Sequence, residues 1–257
     1  MKKRRLLVPL VFLLCSVLIC CLTVGLFWLS GGRIEQPAAP PDSEQTQPES
    51  PKEPRFTVIL DAGHGGEDGG AVGVGGRVEK DLNLEIAKLL AAELEKNGVQ
   101  VIMTRTEDVL LYDRNVDFKG RKKVLDLAAR QAIGDKYPEA LFISIHANSF
   151  AEQQYHGLQI WYGTNHPDSA VLAECIRGEV VRTLQPDNHR QSKQAGSNIY
   201  LLYHLENPTV LIECGFLSNP MECTALADAS YRQELARALC RGILAYDEND
   251  ANDGRME

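Results

Sequence analysis

The chain has 257 residues, with 27 Lys and Arg against 35 Asp and Glu and a net charge of −8 at pH 7. That length supplies one sizeable domain or two small ones. The acidic balance argues against a nucleic-acid partner, which favours a basic face, and leaves a carbohydrate or peptide substrate open.

The first five residues, MKKRR, carry four positive charges, and residues 6–30 then run without any charge. About 20 apolar residues cross a bilayer at roughly 1.5 Å rise each. A cleaved signal peptide has a shorter apolar region and a small-residue cleavage site; no such site precedes Gly31. Residues 1–32 are therefore predicted to be a cytoplasmic basic tip and a transmembrane helix, with a cleaved signal as the alternative. Positive charge stays on the cytoplasmic side. The protein is thus expected in the cell membrane, single-pass, with everything after the anchor outside the cytoplasm. Without the tip, 23 Lys and Arg face 35 Asp and Glu, a balance of −12. Residues 33–54 hold six of the 12 prolines, mixed with Ser, Glu and Gln. Such a segment cannot bury a core and reads as a disordered linker. The folded domain is predicted over 55–249, with 250–257 as a disordered tail.

Inside the domain, strands and helices alternate. RFTVIL (55–60) is β-rich and ends at the glycine-rich stretch DAGHGGEDGG (61–70). Residues 79–98 space Leu82, Ile86, Leu89, Leu90 and Leu94 as a helix and stop at Asn97-Gly98. A strand follows at 99–105 and a helix at 120–133. ALFISIHANS (140–149) opens as a near-continuous apolar strand, as in a sheet covered on both faces. Further strands are predicted at 157–163, 198–205 and 208–215, with helices at 167–184 and 229–249. This order predicts one α/β domain with a mostly parallel sheet. Four cysteines lie in it, Cys175, Cys214, Cys223 and Cys240, without metal-finger spacing. They read as small buried side chains, although a disulfide among them stays open.

Active sites of such sheets gather beyond the carboxyl ends of the strands. DAGHGG follows the first strand, HANS ends another, and Glu213 lies near the end of PTVLIECG. The glycine-rich loop has no Lys to grip a phosphate and does not run straight into a helix, which disfavours a phosphate cradle. A metal fits better, because catalytic zinc commonly uses two His, one Glu and a water. Of the six histidines, His64 and His146 sit at strand ends with small or polar neighbours and offer the nitrogens. Glu79, 15 positions after His64, can be brought back beside it by the loop. Each residue also has a plain reading: Glu79 as a first-turn carboxylate favouring the helix dipole, and His146 as a strand-end histidine. Glu213 follows the apolar run Val-Leu-Ile, where a carboxylate must be paired, protonated or functional; an ion pair with an arginine remains open.

Taken together, VILDAGHGGEDGGAVG, VEKDLNLEIAKLL, VIMTR, SIHANS and ECGFLSNPMEC resemble, block by block and in order, the zinc-dependent N-acetylmuramoyl-L-alanine amidases of bacterial cell walls. The resemblance covers about 55–247. It implies a three-layer α/β/α domain on about six strands, and one Zn2+ held by His64, Glu79 and His146. Glu213 is implied as the catalytic glutamate, and peptidoglycan as the substrate. Asp61 and Asn148 are candidate supports for the ligands, or else ordinary turn formers. Only seven residues, FAEQQYH, separate HANS from the next strand. This is similar to family members without an autoinhibitory helical insert. The stretch 184–223 resembles the membrane-anchored amidases of spore formers, which strip peptide from muramic acid to make cortex muramic lactam. An accessory activator protein is a possible partner. The alternatives are a general autolysin of cell separation, a zinc peptidase cutting within stem peptides, and a non-catalytic wall-binding module.

Overall fold

The computed structural model describes residues 53–253 except 114 and 118. The predicted anchor, and all of the linker but its last two residues, lie outside the described residues. Among the described residues no helix is long and apolar enough to cross a membrane.

Six strands form one sheet: β1 (Thr57–Ala62), β2 (Gln100–Met103), β3 (Leu141–Asn148), β4 (Gln159–Tyr162), β5 (Lys193–Gln194) and β6 (Thr209–Phe216), in the order β2-β1-β3-β6-β4-β5. β2, β1, β3 and β6 are mutually parallel; β4 runs antiparallel to β6, and β5 follows β4. The helices are α1 (Glu79–Lys96), α2 (Lys122–Lys136), α3 (Asp168–Thr183), α4 (Tyr200–His204), α5 (Pro220–Ala227) and α6 (Ala229–Asp253).

Because side chains alternate along a strand, the sheet sorts its residues between two faces. Val58, Leu60, Ile143, Ile145, Val210 and Ile212 pack with the apolar stripes of the longer helices: Ile86, Leu90 and Leu94 of α1, Leu172 and Ile176 of α3, Leu239 and Ile243 of α6. The intervening positions Ile59 and Phe142 face Leu127 of α2 and Leu201, Leu202 and Leu205 around α4. The result is three layers. The same alternation puts Asp61, Ser144, His146 and Glu213 on the α2–α4 side, in register across neighbouring strands.

The structure departs from the predicted elements at four places, one of them the helix α5, Pro220–Ala227, where no element is predicted. Residues 198–205 are not a strand: α4 occupies Tyr200–His204, because Leu201, Leu202 and Leu205 are buried at helical spacing while Tyr203 is exposed. The sixth strand is instead the two-residue edge strand β5, which is exposed and carries no apolar signal. The last helix continues to Asp253, past the expected domain end at 249; no Gly or Pro interrupts it between there and Gly254. Cys214, Cys223 and Cys240 are buried free thiols.

Candidate metal centre

The loop after β1 is built to fold back on itself. Glu79 N donates to Ala71 O at 2.9 Å and Lys80 N to Gly69 O at 3.1 Å, so the start of α1 is tied to the loop it follows. This brings Glu79, 4% exposed, against His64. Two glycines make the approach possible. A Cβ on Gly63 would lie 2.3 Å from the His146 ring, and one on Gly70 only 2.4 Å from Glu79 Oε2. Gly70 also has φ +68, a conformation that side chains disfavour. His64 itself takes a left-handed backbone, φ 61, which costs a non-glycine residue about 1–3 kcal/mol and clusters at functional sites.

Three side chains converge. His146 Nδ1 lies 2.9 Å and His64 Nε2 3.2 Å from Glu79 Oε1. One ligand atom from each of the three falls within 4.8 Å of the others, so the group could hold a metal ion. Electrostatics favour a cation there. Burial alone would raise the Glu79 pKa, but the hydrogen bonds and charge of His146 and His64 outweigh it and hold the carboxyl well below its usual range. Burial would lower His64, yet Glu79 and Asp68 outweigh it and raise that imidazole. A site that stabilises positive charge on an imidazole suits a divalent ion, and two His with one Glu is a catalytic zinc donor set that leaves a coordination position open.

Glu213 stands opposite His146 in the β3–β6 register. Its Oε2 is buried and, among the described residues, has no hydrogen-bond partner. The arginine ion pair left open by its apolar strand is therefore not found among those residues. Burial, with a contribution from the Glu79 charge, pushes its pKa up to about 7.

The N-acetylmuramoyl-L-alanine amidase family matches residues 58–245 of this chain. The chain belongs to that family. The germination-specific N-acetylmuramoyl-L-alanine amidase of Bacillus subtilis is 38% identical over 189 residues, covering 74% of this chain and 78% of the relative. The probable cell wall amidase LytH of Staphylococcus aureus is 31% identical over 222 residues, covering 85% and 66%. Among solved structures, the CwlD amidase of Clostridioides difficile in complex with the GerS lipoprotein matches at TM-score 0.72 and 40% identity, over 76% of this chain and 100% of that one. The chain is accordingly an enzyme with N-acetylmuramoyl-L-alanine amidase activity, and peptidoglycan is its substrate.

Seen in the amidase, the two candidate supports diverge. Asp61 is buried on the sheet but hydrogen-bonds none of the three convergent side chains. It accepts from Thr104 Oγ1 at 2.8 Å, Ser144 Oγ at 2.6 Å and Arg130 Nη1 at 2.5 Å. Burial would raise its pKa, but the Arg130 charge and the Ser144 hydroxyl overcome that and lower it. Asn148 ends β3 and accepts from Ser149 N at 2.8 Å; among the described residues its side chain makes no hydrogen bond to His64, Glu79 or His146.

The partners the amidase does use escape a linear reading. Asp68 Oδ2 lies 2.9 Å from His64 Nδ1, leaving Nε2 directed at Glu79. Asn83 Nδ2 donates to Glu79 Oε1 at 3.3 Å and to Gly63 O at 3.2 Å, while Ala71 N and Ala147 N donate to the same carboxylate. Arg105 donates to Ala62 O, Gly63 O and Lys80 O. The signals were present but faint: Asp68 is four residues from His64, and Asn83 one helical turn from Glu79.

Proposed function

We propose that this amidase works with one zinc ion held by His64, Glu79 and His146, with Glu213 as its general base and acid. The bond cleaved is the amide between the lactyl group of N-acetylmuramic acid and L-alanine. The observation that carries the reading is the convergence of the three side chains within 4.8 Å, with Glu213 in register beside His146.

Zinc in such a site supplies Lewis acidity, polarising a carbonyl and acidifying water. The chain's own residues do the rest. Asp68 and Asn83 orient the ligands, a role whose loss typically weakens metal binding. Glu213 takes a proton from the attacking water at its unpartnered Oε2. A carboxyl with a pKa near 7 is well matched to accept that proton and return it to the departing alanine nitrogen. The reaction releases the whole stem peptide and leaves a free lactyl carboxylate on the sugar.

The biological setting follows from the relatives and the amino terminus. We place the enzyme in spore cortex maturation, where peptide-free muramic acid gives muramic lactam; the identities to the Bacillus germination-specific amidase and the Clostridioides CwlD amidase support this. The latter's complex with a lipoprotein supports a lipoprotein as the accessory partner. Residues 6–30 would anchor the catalytic domain outside the cytoplasm, on the linker of 33–54. A vegetative wall role is the second reading, favoured by the likeness to LytH.

The test is Glu213→Gln, with zinc content by elemental analysis and muropeptides by mass spectrometry. The expected result is full zinc and loss of whole-peptide release. Wild-type release with unchanged metal would overturn the role of Glu213, and cuts inside the stem peptide would mark a peptidase. Deletion in a spore former that leaves muramic lactam intact would remove the cortex role.

A further inference from the structure

We propose that Arg130 is a positioning residue for the metal site, holding the backbone of His64 in the left-handed conformation that aims its imidazole at Glu79. The proposal rests on the zinc reading above and deepens it.

Arg130 projects from the middle of α2 into the space under the His64 loop and is 1% exposed. Its Nη2 donates to His64 O at 2.7 Å, and its Nη1 to Ala62 O at 2.8 Å. The fork is held from behind by two carboxylates, Asp61 Oδ1 on Nη1 at 2.5 Å and Asp126 Oδ2 on Nε at 2.8 Å. One rigid guanidinium thus bridges both sides of Gly63 while anchored to β1 and α2. A lysine, with a single nitrogen, cannot reach all four acceptors together.

His64 needs such a tie. Among the described residues only Lys119 shares its positive φ without being glycine. A non-glycine residue stays in that region only where its surroundings over-determine it. Arg130 supplies the hydrogen bond on His64's own carbonyl, and Arg105 holds the neighbouring carbonyls of Ala62 and Gly63. Burying a cluster of ion pairs adds little stability over an apolar core of the same shape. Its geometric effect, three consecutive carbonyls turned toward two guanidinium groups, accounts for its presence better than stability does.

The experiment compares full-length wild type with Arg130→Lys, Leu94→Ala and His64→Ala. Leu94 is a buried residue at the far end of α1, so its truncation lowers stability without touching the loop. Zinc affinity is read by competition with a chromophoric chelator, and kcat and KM on muropeptides at saturating zinc. For Arg130→Lys the expected result is zinc binding weakened about 10- to 100-fold, with kcat reduced and KM unchanged. Leu94→Ala should keep wild-type zinc affinity despite a lower melting temperature. Wild-type zinc affinity and kcat in Arg130→Lys, or losses matched by Leu94→Ala, would overturn the proposal. If Arg130→Lys does not fold, Arg130→Gln takes its place; failure of both to fold assigns Arg130 to the fold and also overturns it. Zinc bound by His64→Ala as tightly as by wild type would instead show that the ligand assignment itself has failed.

Discussion

At the scale of single residues, the site depends on close approaches that tolerate no added atom. Gly70→Ala would place a methyl group 2.4 Å from Glu79 Oε2 and 2.7 Å from His64 Cδ2, at a φ of +68. Zinc affinity is expected to fall about 10- to 100-fold, as when a supporting contact of a ligand is lost; isothermal titration checks it. Glu213→Gln is expected to lower kcat by roughly 100- to 10,000-fold, the usual share of a general base. The same substitution carries a pH signature in the metal-free protein. Glu213 has a folded pKa near 7 against 4.5 for the ordinary group. The folded state therefore binds the proton more tightly, and stability contributed by the neutral acid is lost as pH rises through that window. Metal-free Glu213→Gln should match wild type below pH 4.5, grow more stable relative to it up to about pH 7, and hold that lead above. Urea midpoints across pH give the comparison, and a lead that shrinks with rising pH would contradict the burial argument.

At the scale of elements, α4 is the instructive case. Its residues, YLLYH, read as a strand because aromatic and apolar side chains crowd a short segment. Five residues are too few for period alone to separate helix from strand. Burial separates them: Leu202 is 1% exposed and the adjacent Tyr203 51%. Leu202→Ala is expected to lower stability by about 2–5 kcal/mol and Tyr203→Ala by less than about 0.5 kcal/mol, measured by denaturant unfolding. The long helices were legible because each carries an apolar stripe of several turns, as in Leu82, Ile86, Leu90 and Leu94 of α1. α2 was legible as a helix, but its inward stripe of Asp126, Arg130 and Gly134 was not. Charged residues at i and i+4 normally mark a solvent face. Here Arg130 points inward because acceptors on β1 and its loop await it, and Asp126 because it accepts from Arg130 Nε and Leu111 N.

At the scale of the whole molecule, the proposed zinc would couple to the fold. Its three candidate ligands lie on the loop after β1, on α1 and on β3, so an ion that binds only the folded state would stabilise all three. At a concentration 100 times its dissociation constant, such a ligand adds about 2.7 kcal/mol. For a domain of this size, that is a melting shift of roughly 5–10 °C. Chelation is expected to remove that shift, and added zinc to restore it, in scanning calorimetry. His64→Ala should melt alike with and without zinc.

The sequence by itself determined the mostly parallel α/β class and the strands that end at the site, which are written in alternation and residue type, local properties of the chain. It offered His64, Glu79, His146 and Glu213 as candidates, and the resemblance of the motif blocks to the amidase family implied their grouping. It also carries the apolar amino-terminal segment and the proline-rich linker as composition. Only the tertiary structure decided that Asp61 serves Arg130 rather than a ligand, and that Asp68 meets His64. These pairings join groups up to 69 residues apart. A hydrogen bond is set by ångströms and angles, and those exist only once the sheet has brought its strands into register.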